Sequence, residues 1–173
     1  GGIIVNSKLK LRIYSLICFV VLFVGSNSYC SEAGIFSVPK QSRVLLLVSN
    51  LTAAGDERLK WLYKFMDGSS VILAGQMAAP KYRKMLILGG QQVTKDHFKN
   101  ALVSLASDSE NQAVDTMVHL HGSVRSLFFQ EGPSAVEDIE SEIRAEVSAD
   151  QLKTLRLLYS TACYGAKHAV NFL

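Results

Sequence analysis

The sequence predicts an α/β domain in which helices cover both faces of a mostly parallel sheet, a three-layer arrangement. Short continuous apolar runs rich in Val and Leu are typical of strands that are buried on both faces. These runs alternate along the chain with amphipathic segments, as expected for parallel strands joined by right-handed helical crossovers. A composition of 49% hydrophobic and 19% charged residues over 173 residues fits one folded domain with a real core.

The first part of the domain is predicted to begin with a strand over residues 43–50. Asp56 can cap a following helix that runs to Met66. Its apolar face would carry Leu59, Leu62, Tyr63 and Met66. Residues 71–74 form a short apolar run whose type the sequence leaves open, with an added hairpin strand as one interpretation. Gly75 and Pro80 bracket a loop.

The next strand and helix are predicted from the same kinds of pattern, an apolar run and an amphipathic segment with a cap. Residues 85–88 predict a second buried strand, which ends at Gly89-Gly90. Thr94 can cap a second helix, with Phe98, Leu102 and Leu105 on its inner face. The glycine pair lacks the spacing of a phosphate-binding loop, so it is interpreted as a strand-to-helix turn.

The second half predicts two further main strands. Residues 114–120 form the third, which ends at His121-Gly122, and residues 127–129 are interpreted as a short edge strand or hairpin arm. Ser134 and Glu137 have the spacing of a capping box. The helix that this box would start has an apolar stripe of Val136, Ile139, Ile143 and Val147. Residues 155–162 form the fourth main strand and lead directly into Cys163.

The N-terminus has the pattern of a secretory signal peptide. Basic residues precede the apolar run at 17–24, and small polar residues follow it, which predicts cleavage after Ala33. The run is shorter than the roughly 20 residues that a spanning helix needs, so a signal peptide is favoured. An uncleaved membrane anchor is the alternative. The sequence thus predicts a signal peptide over residues 1–33, a folded α/β domain over residues 34–173, and a secreted or periplasmic location.

Cleavage at that point would leave one cysteine. Cys18 and Cys30 lie in the removed segment, and Cys163 would then have no disulfide partner within the chain. An unpaired thiol in an oxidising compartment is a candidate reactive group, although free cysteine also packs as an inert small apolar residue.

Cys163 and His121 are each predicted to follow a parallel strand at its carboxyl end. Such ends meet at one edge of the sheet, where ligands bind in open α/β folds. A thiolate is a nucleophile, and a nearby imidazole can move the proton that the chemistry requires. Attack of a nucleophile on an amide carbonyl forms an oxyanion, which backbone N–H groups near the nucleophile can stabilise. Gly122 has no side chain and lets substrate approach the backbone closely.

Together these stretches resemble the clan CD cysteine peptidases, the group of caspases, metacaspases, clostripain and gingipains. The resemblance rests on MVHLHGS at residues 117–123 and LRLLYSTACYG at residues 155–165, and on the order of elements from Arg43 onward. In that group an apolar block ends in His-Gly and a second apolar block ends in a small residue and Cys.

The resemblance implies a caspase-like fold and a secreted cysteine endopeptidase with a Cys163–His121 dyad. Cys163 would attack the scissile carbonyl, His121 would protonate the leaving amine, and the backbone N–H groups of Gly122 and Cys163 would hold the oxyanion. The substrate would be a protein or peptide, without metal or cofactor. The resemblance also implies further strands after the cysteine strand, so part of the domain is expected to be missing at the C-terminus.

Two other interpretations of the chain are compatible with the sequence. The chain could be a catalytically silent caspase-like binding or scaffold module, or an unrelated doubly wound binding domain whose cysteine is incidental. Of the other histidines, His119 is interpreted as a strand residue, His97 as an exposed residue of a helix's first turn, and His168 as part of a helix after Cys163. A net charge of +3 from scattered groups does not indicate a nucleic-acid surface, and membrane contact is expected only through the N-terminal segment.

Overall fold

The computed structural model describes residues 38–160. The predicted signal peptide, Cys163 and His168 therefore lie outside the described residues. The strands are β1 (Arg43–Ser49), β2 (Lys84–Gly89), β3 (Ala113–His119), β4 (Ser126–Phe129), β5 (Gly132–Ala135) and β6 (Leu155–Ser160). The α-helices are α1 (Lys60–Leu73), α2 (Lys95–Ser107), α3 (Val136–Glu146) and α4 (Ala149–Leu152).

Four strands form a parallel sheet in the order β2-β1-β3-β6. The central strands β1 and β3 are almost wholly buried, as their continuous apolar runs require. The register places Ser49 opposite both Gly89 and His119, and Val118 opposite Ser160. The predicted α/β class with a mostly parallel sheet is confirmed, and the arrangement is compatible with three layers.

One face of this sheet is apolar. Side chains of β1 and β3 that point to it pack against inward residues of α2 and α3, among them Phe98, Leu102, Ile139 and Ile143. We call this the apolar face; its sheet residues include Val44, Leu46, Val48, Val114 and Val118. The predicted inner faces of both helices are confirmed, because every residue named for them is buried.

The alternate residues of the same strands form the other face, which we call the α1 face. It carries Leu45, Leu47 and Ser49 on β1 and Asp115, Met117 and His119 on β3. At its carboxyl end Ser49 contacts Asp67 and Ser70 of α1. Helices therefore contact residues of both faces.

Strands β4 and β5 form a separate antiparallel hairpin, which confirms the hairpin arm predicted at residues 127–129. The capping box predicted at Ser134 and Glu137 is wrong. Ser134 lies in β5, opposite Leu127, and α3 begins after Ala135 without a side-chain cap. Pairing in the hairpin takes the serine away from the helix end, and a capping box forms instead at Ser148 and Gln151 before α4.

The hairpin strand predicted at residues 71–74 is also wrong. The segment continues α1 to Leu73, and a π-helical turn, Ala74–Ala78, extends it into the region predicted as a loop. A short apolar run has the same composition in a helix as in a strand, so its pattern alone does not separate the two. Asp56 does cap a helical turn, but this is the 3₁₀ turn Glu57–Leu59 that precedes α1.

Two other predictions have clear outcomes. Thr94 caps α2, since its hydroxyl accepts a hydrogen bond from the His97 backbone N–H at 3.1 Å. Strand β2 is half-buried rather than buried, because among residues 38–160 it lies at the edge of the sheet and pairs with β1 alone.

Candidate active site

The candidate site lies at the carboxyl edge of the parallel sheet. Strands β1, β2, β3 and β6 all end there, at Ser49, Gly89, His119 and Ser160. The Asn50 backbone N–H donates to the His119 carbonyl at 3.0 Å, so the first residue beyond β1 still holds the end of β3. This edge is where ligands bind in open parallel sheets.

The backbone of His121 and Gly122 is fixed by the hairpin that follows. The Phe128 N–H donates to the His121 carbonyl at 2.9 Å, and the Ser123 N–H donates to the Ser126 carbonyl at 2.8 Å. Gly122 lies opposite Leu127 between these two bonds. In an antiparallel ladder, a residue between such bonds directs its own N–H away from the partner strand, so the Gly122 N–H points away from Leu127.

The His121 ring is held by α1 and by the loop after β1. Tyr63 packs edge-to-face on it, with ring centroids 4.8 Å apart and planes at 83°. Gly55, at φ 97°, approaches so closely that a Cβ there would lie 2.8 Å from His121 Nε2. Nε2 is buried and makes no hydrogen bond within residues 38–160.

One turn after Tyr63 on α1, Asp67 organises the start of the loop that follows β1. Its carboxylate accepts hydrogen bonds from Ser49 Oγ at 2.6 Å and from the Leu51 N–H at 3.0 Å. Ser49 Oγ also lies 3.2 Å from Ser70 Oγ. The carboxylate thus joins α1 to the end of β1 through two bonds.

His119 lies on the same face as His121, as strand alternation predicts, and it is the last residue of β3. Burial lowers the pKa of the His119 imidazole, and the negative charge of Asp67 opposes that shift. A buried, neutral imidazole inside the sheet fits the interpretation of His119 as a strand residue. The prediction for His97 is confirmed too, since it is exposed in the first turn of α2.

Asn50 connects three strand ends. Its side chain is almost fully buried, and Nδ2 donates to the Gly90 carbonyl at 2.8 Å and to Gln130 Oε1 at 3.1 Å. Its Oδ1 accepts from the Thr52 hydroxyl at 2.9 Å. Asn50 therefore ties the loop after β1 to the turn after β2 and to the residue that follows β4.

Four residues of this edge were not predicted from the sequence: Asn50, Gly55, Tyr63 and Asp67. Tyr63 and Asp67 are one turn apart on α1, and only the placement of that helix brings them to the two histidines. Asn50 carried a signal that could have been used, since it is the second of two polar residues that directly follow the apolar run 44–48. Cys163 lies outside the described residues, so the structure places His121 and Gly122 but not the thiol.

Within residues 38–160 no group of three His, Cys, Asp or Glu side chains is arranged to hold a metal ion. No protein-family model matches the chain, and no curated protein matches it either. The resemblance to clan CD peptidases therefore stays a prediction.

Proposed function

We propose that this chain is a secreted cysteine endopeptidase with a caspase-like fold and a Cys163–His121 dyad. The observation that carries the proposal is the register of β3 against β6. Val118 pairs with Ser160; His121 follows Val118 by three residues, and Cys163 follows Ser160 by three. The two candidate catalytic residues are therefore equally far beyond a matched pair of adjacent parallel strands.

Chain length limits where the thiol can be. Three residues span at most about 11 Å, and adjacent strands lie about 4.8 Å apart. The stretch from Ser160 is thus long enough to bring the thiol to His121 and too short to carry it far from this edge.

The described groups support the chemistry. Attack of the Cys163 thiolate on a peptide carbonyl would form a tetrahedral oxyanion, and the Gly122 N–H, directed away from Leu127, would donate to it together with the Cys163 N–H. His121, which would hold the proton lost by the Cys163 thiol, would then pass that proton to the leaving amine. Loss of the amine gives an acyl-enzyme thioester that water hydrolyses, which regenerates the thiol. The substrate is a protein or peptide, and no cofactor enters these steps.

The first test is cleavage of a diverse peptide library by the full chain, with products read by mass spectrometry. Cys163→Ala and His121→Ala should both abolish cleavage. His97→Ala is the matched control, because it removes an exposed imidazole of α2 and should leave cleavage unchanged. Cleavage that survives in the Cys163 variant would contradict the proposal.

A second readout separates the alternatives that the sequence left open. The rate of Cys163 alkylation is followed by peptide mapping in the folded protein and in the same protein unfolded in urea. An activated thiol should react faster in the folded protein than in the unfolded one, and His121→Ala should slow the reaction of the folded protein alone. Fast, His121-dependent alkylation without cleavage would favour the silent binding module, whereas slow alkylation that is insensitive to His121 would favour an incidental cysteine.

A further inference from the structure

Helix α1 has its polar and apolar sides reversed relative to an ordinary surface helix. Tyr63, Asp67 and Ser70 point toward the sheet edge, where they contact His121 and Ser49. The opposite side carries Trp61 and Phe65, which are 67% and 66% exposed. A helix at the surface of a soluble domain normally presents polar residues to water at these positions.

The exposed apolar residues are concentrated in this one segment. Seven large apolar side chains are exposed among residues 38–156, and six of them lie between Leu59 and Met77. They are Leu59, Trp61, Phe65, Ile72, Leu73 and Met77, and the seventh is Val124. Contiguous exposed apolar surface marks interaction sites, whereas single scattered residues need no explanation.

Helical geometry places three of these side chains in one line. Trp61, Phe65 and Ile72 follow at intervals of four and seven residues, which lie on the same side of an α-helix. Met77, in the π-helical turn that extends α1, is 70% exposed. We call Trp61, Phe65, Ile72 and Met77 the α1 outer face.

The sequence around this face has more cations than carboxylates. Between Lys60 and Lys84 it has Lys64, Lys81 and Arg83 and a single carboxylate, Asp67. Because Arg83 pairs with Asp108 and Glu110, the cations to be considered beside the face are the two lysines. Asp67 bonds to Ser49 and to the Leu51 N–H on the inner side of the helix. The α1 outer face is therefore an apolar strip with lysines beside it and one carboxylate at its start, Glu57, which is paired with Lys60.

We propose that the α1 outer face rests on an anionic lipid surface, with Trp61 and Phe65 at the level of the headgroups. Interfacial helices combine an aromatic and aliphatic face with flanking lysines in this way. Among the described residues no helix has the length and apolar character to traverse a bilayer.

The sequence supplies the probe for a direct test, because Trp61 is its only tryptophan. The full chain is titrated with phosphatidylcholine vesicles, with and without phosphatidylglycerol, that carry bromine on their acyl chains. Insertion of the α1 outer face should shift Trp61 emission to shorter wavelength and quench it, and only with the anionic vesicles. Attachment through another part of the chain would leave Trp61 unquenched.

Variants that keep Trp61 separate the apolar and charged contributions. Phe65→Ser with Ile72→Ser should weaken the vesicle affinity reported by Trp61 roughly tenfold or more. Lys64→Gln should weaken it roughly fivefold at low salt and less at high salt. Val124→Ser, the matched control, removes the exposed apolar side chain that lies outside α1 and should leave the affinity unchanged.

Three results would overturn the proposal. Trp61 emission that ignores both vesicle types would exclude the lipid surface, and equal quenching by both types would exclude a role for anionic lipid. A blue shift that grows with protein concentration in the absence of vesicles would show that a second copy covers the face. All these measurements are independent of peptidase activity.

Discussion

The two faces of the parallel sheet carry different chemistry, although the same strands build both. On the apolar face, Val and Leu side chains of β1 and β3 meet the inner stripes of α2 and α3. On the α1 face, the same strands present Ser49, Asp115 and His119, and charged or polar partners meet them. Successive strand residues point to opposite faces, so a shift of one position separates core from candidate site.

The difference shows how each face is stabilised. The apolar face depends on close packing, where removing volume leaves a cavity. The α1 face also buries Leu45 and Leu47, but its polar residues add a second requirement. Each buried polar group there needs a partner, and removing one partner leaves the other without compensation. Each face can therefore be disrupted by its own type of substitution.

The largest effect is expected on the apolar face. Phe98, almost fully buried in α2, packs on Phe129 with ring centroids 5.8 Å apart. Phe98→Ala should lower the free energy of unfolding by about 3–5 kcal/mol, measured by urea denaturation. Phe65→Ala is the matched control: it removes the same side chain from the exposed side of α1 and should cost at most about 0.5 kcal/mol. Equal losses in the two variants would contradict this assignment of inside and outside.

The next effect concerns the buried ion pair of the α1 face. Asp115 is fully buried and accepts hydrogen bonds from Arg156 Nε at 2.6 Å and Nη2 at 2.9 Å. Tyr82 also bonds to Asp115, and burial together with that carboxylate raises the pKa of the Tyr82 hydroxyl. Asp115→Ala should cost about 3 kcal/mol in urea denaturation, because the guanidinium loses its counter-charge.

Asp150→Ala provides the comparison for the ion pair. Asp150 pairs with Lys153 at 2.7 Å, but both side chains are largely exposed, so its removal should change stability very little. A loss at Asp115 no greater than the loss at Asp150 would show that burial adds nothing to the Asp115–Arg156 pair.

The sequence predicted the apolar face much better than the α1 face. Continuous Val and Leu runs and the stripe of Val136, Ile139 and Ile143 are local patterns, and hydrophobic burial needs no specific partner. The His121-Gly122 position followed from the same strand prediction. The site elements that were missed depend on contacts between residues distant in sequence, as Tyr63 with His121 and Asp67 with Ser49 show.

The prediction at residues 71–74 was wrong for a related reason. Ile72 and Leu73 are apolar but exposed, so their composition suggested burial in a strand where the structure has an outward-facing helix. Apolar residues indicate a core only when a partner covers them. The same exposed residues support the proposed lipid contact of the α1 outer face.

A smaller effect is expected where the loop after β1 meets His121. Gly55→Ala must place a side chain at φ 97°, and its Cβ would lie 2.8 Å from both His121 Nε2 and Tyr63 Cε2. The strain should cost about 1–2 kcal/mol, and the contact should displace the imidazole. Histidine ring NMR shifts would report that displacement.

Gly132→Ala separates strain from contact. Gly132 also has a positive φ, 120°, but an added Cβ there meets no atom within 4 Å. It should therefore lose stability through strain while the His121 ring shifts stay unchanged. If both alanine variants leave His121 undisturbed, Gly55 does not hold the ring.

The smallest effect is a pH dependence that belongs to the α1 face alone. Burial lowers the pKa of His119 from its ordinary 6.5, and the facing carboxylate of Asp67 opposes this shift. As the pH falls below 6.5, His119 takes up a proton more readily in the unfolded chain than in the folded protein. The contribution of His119 to the free energy of unfolding is therefore complete above pH 6.5. It declines as the pH falls toward the lowered pKa of the folded state.

His119→Gln removes the titrating group and should flatten this part of the profile. Urea denaturation on both sides of pH 6.5 should show the wild-type advantage over the variant shrinking in the more acidic buffer. Asp67→Asn removes the opposing charge and should make the acid loss steeper than in the wild type. A wild-type advantage that grows on acidification would mean that the charge of Asp67 outweighs burial at His119, and would reverse the direction assigned to its pKa.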